Sequence, residues 1–401
     1  MSRIAPFAAL VGVVALAAPA LSAQLAVRGE TVHTMAGAPI RDGVVLVRDG
    51  KVERVGPASQ VAVPAGYRVL QAKVVTPGLV DAHSVVGLAG ILNQPHDQDQ
   101  LDRTDAVQPE LRAVDAYNAS DELVAWLRGF GVTTVHTGHG PGALASGQTM
   151  IVKTRGDNVG EALVDSATMV AFTLGPSVAG NFKSPGTRAR GVAMLRTEFL
   201  KAREYERKRK AGGQARDLKL EALVQVLNGE RQALFTAQRA TEILAALRLA
   251  KEFGFKLVLD GAAEAYLVAD EIRAAGVPVI LHPSMVRTGG ETENASLETA
   301  KLLRDRGIPV ALQSGFEGYV PKTRVVLFEA AVAAANGLGQ ENALRAVTID
   351  AARVIGADRR VGSLEPGKDA DLALFDGDPF EYTTHVCAVV IEGEVVSDGC
   401  R

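Results

Sequence analysis

The stretch TPGLVDAHSVVGLAG (Thr76–Gly90) decides the fold prediction. Its apolar run ends in Asp81-Ala82-His83, a sequence that is typical of a barrel strand that reaches the mouth and turns polar there. Two residues beyond His83, where a second histidine would complete a His-x-His pair, the chain has Val85. The strand therefore predicts a barrel mouth in which one polar position has become apolar.

Seven further apolar runs follow, and each ends in polar or glycine-rich residues, as the strands of a (β/α)₈ barrel do. A doubly wound open sheet is the alternative, but no G-x-G-x-x-G motif opens a helix after the first strand. We therefore predict an α/β fold built on a TIM barrel, with any active site on the loops that follow the strands. The seven runs are GVTTVHTGHG (131–140), TMIVKTRG (149–156), MVAFTLGPS (169–177), QALFTAQ (232–238), KLVLDG (256–261), VPVILHPS (277–284) and IPVALQSG (308–315).

Short alternating strands stand at both ends of the chain. GVVLVRDGKVERVG (43–56) turns at Asp49-Gly50, a strong hairpin signal, and two similar stretches occupy residues 369–380 and 384–397. Neither set is large enough to bury a core alone, so we predict one small composite β-sandwich formed from both termini. The predicted parts are residues 24–74 and 357–401 for the sandwich and 75–356 for the barrel.

The composition bears on whether the chain binds nucleic acid. The 401 residues carry 43 Lys+Arg against 46 Asp+Glu, and only 5% are aromatic. A near-even charge and few stacking side chains argue against nucleic acid as a ligand.

The N-terminal residues predict export. Arg3 precedes a short Ala-rich apolar stretch that closes on small residues, which is typical of a cleaved signal peptide over residues 1–23; a buried N-terminal helix is the alternative. The stretch is too short to indicate a membrane span, and we expect none in the mature chain. We predict a periplasmic or secreted protein.

The two cysteines, Cys387 and Cys400, flank a hairpin that is predicted to turn at Glu392-Gly393. A disulfide that fixes the C-terminal tail agrees with an oxidising compartment, and two free thiols are the alternative. A zinc site is not predicted here, because neither cysteine has a His or Cys neighbour.

Together, VVTPGLVDAH, GVTTVHTG and VGSLEPGKDADLALFDGDPF resemble the amidohydrolase superfamily, and within it the imidazolonepropionase-related group. The resemblance covers nearly the whole mature chain. It implies hydrolysis of C–N or related bonds by water that one or two divalent metals activate, since a bound metal brings the pKa of water from 15.7 to about 7.

The resemblance also implies a set of metal ligands, and the chain departs from it. Of the first-strand pair only His83 remains, because Val85 replaces the second histidine. Valine and glycine cannot donate a lone pair, and threonine and glutamine are weak ligands for zinc, so we expect a vestigial His83 and no bound metal. The matching positions on the later strands are Thr236 and its companion Gln238, Gly261, and Gly315 in place of the eighth-strand aspartate.

A relocated metal site is the alternative. His83, His136, His139 and His282 all fall at or just beyond predicted strand ends, and Asp260 could add a carboxylate. His136 and His139 are three residues apart, which on a strand directs them to opposite faces. The sequence has no G-x-S-x-G elbow and no cysteine near a barrel strand end. It therefore predicts no nucleophile that would act without a metal.

Two functions remain open on the sequence. The first is a metal-poor, non-catalytic homologue (a pseudoenzyme) that binds a small-molecule or peptide ligand, or an intact amidohydrolase as a partner subunit. Its barrel mouth would still carry a long polar insertion at residues 93–120. The second is an atypical hydrolase of C–N bonds that uses the relocated histidines and one divalent metal such as zinc. We expect a homo-oligomer or a hetero-oligomer in either case.

Overall fold

The computed structural model describes residues 24–92, 94–316 and 323–400. The predicted signal peptide lies outside these residues. None of the helices in the described residues has both the length and the apolarity that a bilayer crossing requires. The helices are α1 (Glu122–Gly129), α2 (Val159–Ala162), α3 (Pro176–Asn181), α4 (Arg188–Lys210), α5 (Leu218–Leu227), α6 (Ala240–Phe253), α7 (Ala269–Ala275), α8 (Thr299–Asp305), α9 (Val326–Ala333), α10 (Gln340–Ala346) and α11 (Ile349–Val354).

The strands fall into a composite sheet and a barrel. The composite sheet takes strands from both ends of the chain, and the barrel takes those between. The strands are β1 (Leu25–Val32), β2 (Ile40–Arg48), β3 (Lys51–Pro57), β4 (Arg68–Pro77), β5 (Leu79–Ser84), β6 (Val132–Thr137), β7 (Ala145–Gln148), β8 (Met150–Lys153), β9 (Leu163–Asp165), β10 (Met169–Leu174), β11 (Gln232–Ala237), β12 (Leu257–Gly261), β13 (Val279–Leu281), β14 (Val310–Leu312), β15 (Leu372–Phe375), β16 (Val386–Ile391) and β17 (Glu394–Asp398).

The composite sheet has seven strands in the order β17-β16-β15-β4-β1-β2-β3, so strands from both ends of the chain combine, as the prediction of a composite β-sandwich requires. Its two hairpins turn at Asp49-Gly50 and Glu392-Gly393, where all four residues have φ between 47° and 79°. Positive φ at both central residues defines the type I′ turn that matches the twist of paired strands. The disulfide joins Cys387 on β16 to Cys400, two residues beyond the end of β17.

The barrel contains a parallel run from β10 to β14, and β5 pairs in parallel with β6. A single bridge between Ser84 and Gly315 joins the first strand to the last. The interior is a layer of apolar side chains, as expected for a packed barrel rather than a pore. These side chains, one or two from each contributing strand, are Val80, Ala82, Ile151, Met169, Leu234, Val258, Ile280 and Ala311.

One barrel strand departs from the predicted strand–helix alternation. The contiguous β7 and β8 run antiparallel to their neighbours β10 and β6. Only residues 138–144 separate β6 from β7. A parallel connection needs a crossover of a dozen or more residues, so this short link can only reverse the chain. Lys153 at the end of β8 is therefore at the opposite rim from the mouth.

Lys153 joins the barrel to the composite sheet. Its Nζ lies 2.5 Å from Asp371 Oδ2 and 3.1 Å from Asp369 Oδ2, and all three side chains are at most 3% exposed. Asp369 also forms salt bridges with Lys51 and Arg360. Although burial raises the pKa of Asp369, these cations bring it below the usual value. The first two aspartates of the LEPGKDADLALFD motif, Asp369 and Asp371, thus hold the two parts of the fold together.

Candidate functional site at the barrel mouth

A cavity of about 120 Å³ lies where β5, β11, β12, β13 and β14 end. The positions predicted to match family ligands surround it, together with His282, Asp260 and Gln313. This arrangement follows from the topology, because the carboxyl ends of parallel barrel strands meet on one face. The lining includes His83, Val85, Thr236, Gln238, Asp260, Gly261, His282, Gln313 and Gly315.

His83 is bound to Asp260 across the mouth. The His83 Nδ1 to Asp260 Oδ1 distance is 2.9 Å, and the two side chains are 4% and 3% exposed. Burial lowers the pKa of His83, but the Asp260 carboxylate outweighs it and the net effect is a raised pKa. Burial would raise the pKa of Asp260, whereas His83 and two hydrogen-bond donors lower it. The Asp260 carboxylate therefore stabilises a hydrogen on Nδ1 of His83.

The Asp260 carboxylate accepts two further hydrogen bonds. Thr236 Oγ1 donates to Oδ2 at 2.5 Å, and Gln313 Nε2 donates to Oδ1 at 2.9 Å. The Nε2 atom of His83, in contrast, is buried and has no hydrogen-bond partner among the described residues. Since His83 lines the cavity, Nε2 is the ring nitrogen left for a ligand.

His282 is the other imidazole of the cavity. Its Nδ1 lies 2.7 Å from the carbonyl oxygen of Pro283, and its buried Nε2 has no partner in the described part of the chain. Burial lowers the pKa of His282, which favours the neutral ring. A neutral ring that donates from Nδ1 offers a lone pair at Nε2.

His136 belongs to the barrel wall, contrary to its predicted place in a relocated site. Its Nδ1 lies 2.7 Å from the carbonyl oxygen of Ala82, and its Nε2 lies 2.6 Å from Thr149 Oγ1. Burial lowers the pKa of His136 to about 3. Both nitrogens are thus used between adjacent strands, and the ring centroid is 5.7 Å from that of His83.

His139 lies outside the cavity lining. It is 5% exposed and packs on Gly147, where an added Cβ would come within 2.2 Å of its ring. The glycine allows this close approach of ring and backbone. His139 is therefore a packed side chain beside the antiparallel strand.

Two glycines stand in the mouth at positions predicted to match family ligands, and both have left-handed backbone. Gly261 has φ 74° and Gly315 has φ 70°. A Cβ at Gly261 would lie 2.4 Å from Gln238 Nε2, and one at Gly315 would lie 2.8 Å from Pro283 Cγ. The Gln238 amide thus fills the space next to Gly261, and it also accepts from the Ala263 N–H at 3.1 Å.

The donor groups at the mouth do not form a metal-ligand set. In residues 24–92, 94–316 and 323–400, three His, Cys, Asp or Glu ligand atoms lie within 4.8 Å of one another only at Asp376, Cys387 and Cys400. There both sulfurs are already joined in the disulfide. A catalytic zinc site takes three protein ligands, so the residues described at the mouth do not fit one.

Two polar groups near the mouth were not predicted from the sequence. Asp81 accepts the backbone N–H of Ser314 at 3.0 Å and the Ser314 hydroxyl, and burial raises the pKa of Asp81 to about 6. Gln313 is the other, and its only sequence signal is its place at a strand end. Asp81 joins the first barrel strand to the last, and Gln313 joins the last strand to Asp260 on β12.

Comparison with known proteins agrees with this barrel-and-sandwich class. The model of the amidohydrolase family matches residues 268–397. The structure of an amidohydrolase from Thermotoga maritima is similar over 93% of this chain and 100% of that one, with 30% identity and a TM-score of 0.88. The imidazolonepropionase of Rhizorhabdus wittichii is 26% identical over 87% of this chain and 92% of its own length.

The chain therefore belongs to the amidohydrolase superfamily, and its predicted fold is confirmed. Amidohydrolase tasK of Hapsidospora irregularis is 24% identical over 89% of this chain. The chain spans only 40% of the length of that relative.

Proposed function

We propose that the chain is a metal-poor, non-catalytic member of the superfamily that binds a small polar ligand in the barrel mouth. The observation that carries the proposal is the donor set. Apart from the disulfide region, the described residues bring no three ligand atoms within 4.8 Å of one another. Metal-activated water needs such a set, whereas ligand binding needs only a cavity with a few oriented polar groups.

The backbone at the substituted positions supports the same proposal. Left-handed φ at Gly261 and Gly315 disfavours any L side chain, and a Cβ at either position would contact a neighbour at 2.8 Å or less. A histidine at 261 or an aspartate at 315 would thus require local rearrangement. The mouth is adapted to the residues that it has.

The alternative, a relocated metal held by His83, His136 and His282, is not favoured. The structure uses both nitrogens of His136 in the wall, and His139 lies outside the cavity lining. Within the cavity lining, His83 and His282 are the two imidazoles whose buried Nε2 has no hydrogen-bond partner among the described residues. The ring nitrogens of His139 also have no partner there, but that ring lies outside the lining. Two ligands are fewer than the three that a catalytic zinc takes from protein.

The size and lining of the cavity indicate the kind of ligand. About 120 Å³ accommodates only a few non-hydrogen atoms, and the lining offers imidazole and carboxamide groups beside Val85. We propose a small ligand, or one group of a larger molecule such as a peptide. An intact amidohydrolase subunit is the partner that we propose for an assembly.

Location outside the cytoplasm is part of the proposal. The sequence of residues 1–23 supports it. The Cys387–Cys400 disulfide also supports it, because structural disulfides persist in oxidising compartments.

The test is the metal content of the mature protein, purified without chelator and then titrated with zinc while Tm is followed. We expect substoichiometric metal and no change in Tm. A metal that binds the folded state at 100 times its dissociation constant would add about 2.7 kcal/mol. One ion per chain with a rise in Tm that His83→Ala abolishes would refute the proposal.

A further inference from the structure

The Asp260 carboxylate is the central group of the mouth. It lies on β12 and accepts hydrogen bonds from His83 on β5, Thr236 on β11 and Gln313 just beyond β14. A single side chain thus contacts residues of three other strand ends. It is 2% exposed, so its charge is compensated by these partners rather than by water.

The four strand ends include those on which the family resemblance places metal ligands. His83 and Thr236 are themselves two of those positions, Asp260 precedes Gly261, and Gln313 lies two residues before Gly315. In a metal-containing barrel, a shared ion would join these strand ends. The residues described here do not fit that ion, but they do join the same strand ends through a carboxylate.

The barrel seam is where such a connection matters. The described backbone pairing between β5 and β14 is the single bridge from Ser84 to Gly315, with one hydrogen bond of 3.2 Å from Gly315 N to His83 O. The Asp81 side chain adds the hydrogen bonds that it accepts from Ser314. Strand pairs elsewhere in the barrel exchange bonds over several residues. His83 and Gln313 stand on the two sides of this seam, and both bind Asp260 Oδ1.

We propose that Asp260 takes the place of the metal as the cross-link of the barrel mouth and acts as a positioning residue for His83. The carboxylate holds the ring hydrogen on Nδ1, which leaves Nε2 for the ligand of the cavity. This inference rests on the proposed function only in requiring a mouth without metal. It predicts that the seam and the orientation of His83 fail together when the carboxylate is removed.

The test compares Asp260→Asn with the wild-type protein, both in chelator. Asparagine keeps the shape of the side chain, but its amide cannot accept from His83, Thr236 and Gln313 together. Asp260→Asn leaves at least one of these buried donors without its acceptor, so we expect Tm to fall by about 5 °C or more. The matched control is Asp270→Asn on α7, whose side chain is 76% exposed, and its Tm should not change.

A second readout separates positioning from stability alone. Nitrogen-15 shifts of the His83 ring report which nitrogen carries hydrogen, and we expect the Nδ1–H form in the wild type and its loss in Asp260→Asn. Thr236→Val removes one contact but keeps the shape and the carboxylate. It should lower Tm less and leave the His83 ring in the Nδ1–H form. If Asp260→Asn does not fold, Thr236→Val and Gln313→Met test the cross-link instead, because each removes one hydrogen bond to Asp260.

The outcomes distinguish this inference from the proposed function. No effect of Asp260→Asn on either readout, with no zinc bound by the wild type, overturns the cross-link alone. Wild-type Tm for both Thr236→Val and Gln313→Met overturns it as well. Zinc binding that Asp260→Asn abolishes would make Asp260 a metal ligand, and both proposals would then fail.

Discussion

Replacing Lys153 with methionine tests how the barrel and the composite sheet are held together. The substitution keeps most of the aliphatic length and removes the ammonium group that lies 2.5 Å from Asp371 and 3.1 Å from Asp369. Asp369 retains Lys51 and Arg360, so the carboxylate left without a cation is mainly that of Asp371. Among the described residues, the Asp371 carboxylate then keeps the Glu392 N–H, which donates to Oδ1 at 3.0 Å.

Removing one partner of a buried pair costs about 3–5 kcal/mol because a charge is left uncompensated. We expect Lys153→Met to lower the free energy of unfolding by about 3 kcal/mol, the lower end of that range, since only one of the two aspartates is stranded. Urea denaturation followed by circular dichroism measures the change. The control is Lys208→Met in the exposed pair with Glu204, where we expect no measurable effect.

A double variant identifies the cause. If the stranded charge is responsible, Lys153→Met with Asp371→Asn should recover much of the lost stability, and a double-mutant cycle gives the coupling. A change below about 1 kcal/mol in Lys153→Met would refute the reasoning, because exposed pairs already reach that value. Failure of the double variant to recover any stability would place the loss in packing instead.

Three further predictions concern pH, the disulfide and the mouth glycines. Burial raises the pKa of Glu329 to about 7, so its folded form keeps a proton that the unfolded chain releases near 4.5, and stability falls as pH rises between these values. Glu329→Gln should therefore weaken the fall in Tm from pH 5 to 7.5, and an unchanged slope would contradict this. The disulfide closes a loop between residues 13 positions apart. Replacing Cys387 and Cys400 with serine should lower the free energy of unfolding by up to about 3 kcal/mol without reductant. With reductant, the variant and the wild type should be equally stable. Gly261→Ala should lower Tm more than Gly276→Ala, because both have positive φ but only the first meets a neighbour, and adding Gln238→Ala should remove the difference.

The fold could be predicted because its determinants are local. Apolar runs of strand length recur through the barrel region, and Asp49-Gly50 and Glu392-Gly393 specify hairpins from two residues each. The direction of the β7–β8 segment was missed, although its signal, the short link at residues 138–144, is in the sequence. The prediction followed the strand–helix alternation of the whole barrel and gave too little weight to the length of this one link.

The candidate site was less predictable because its contacts are distant along the chain. The sequence indicated His83 and Asp260 separately, but their pairing spans 177 positions. His136 shows the converse, since a histidine at a strand end proved to bond within the wall. Hydrogen-bond partners depend on strand register, and neither periodicity nor composition specifies that register.

The shared sheet has a consequence for the order in which the chain can be assembled. One edge of β4 pairs with β1, which is already made, but its other edge waits for β15, almost three hundred residues later. Until Leu372–Phe375 arrive, β4 presents an open row of amide and carbonyl groups, a template for pairing with other chains. A strand made late, β15, thus covers the free edge of one made early, β4, and a chain that stops before β15 would leave that edge exposed for pairing with other chains.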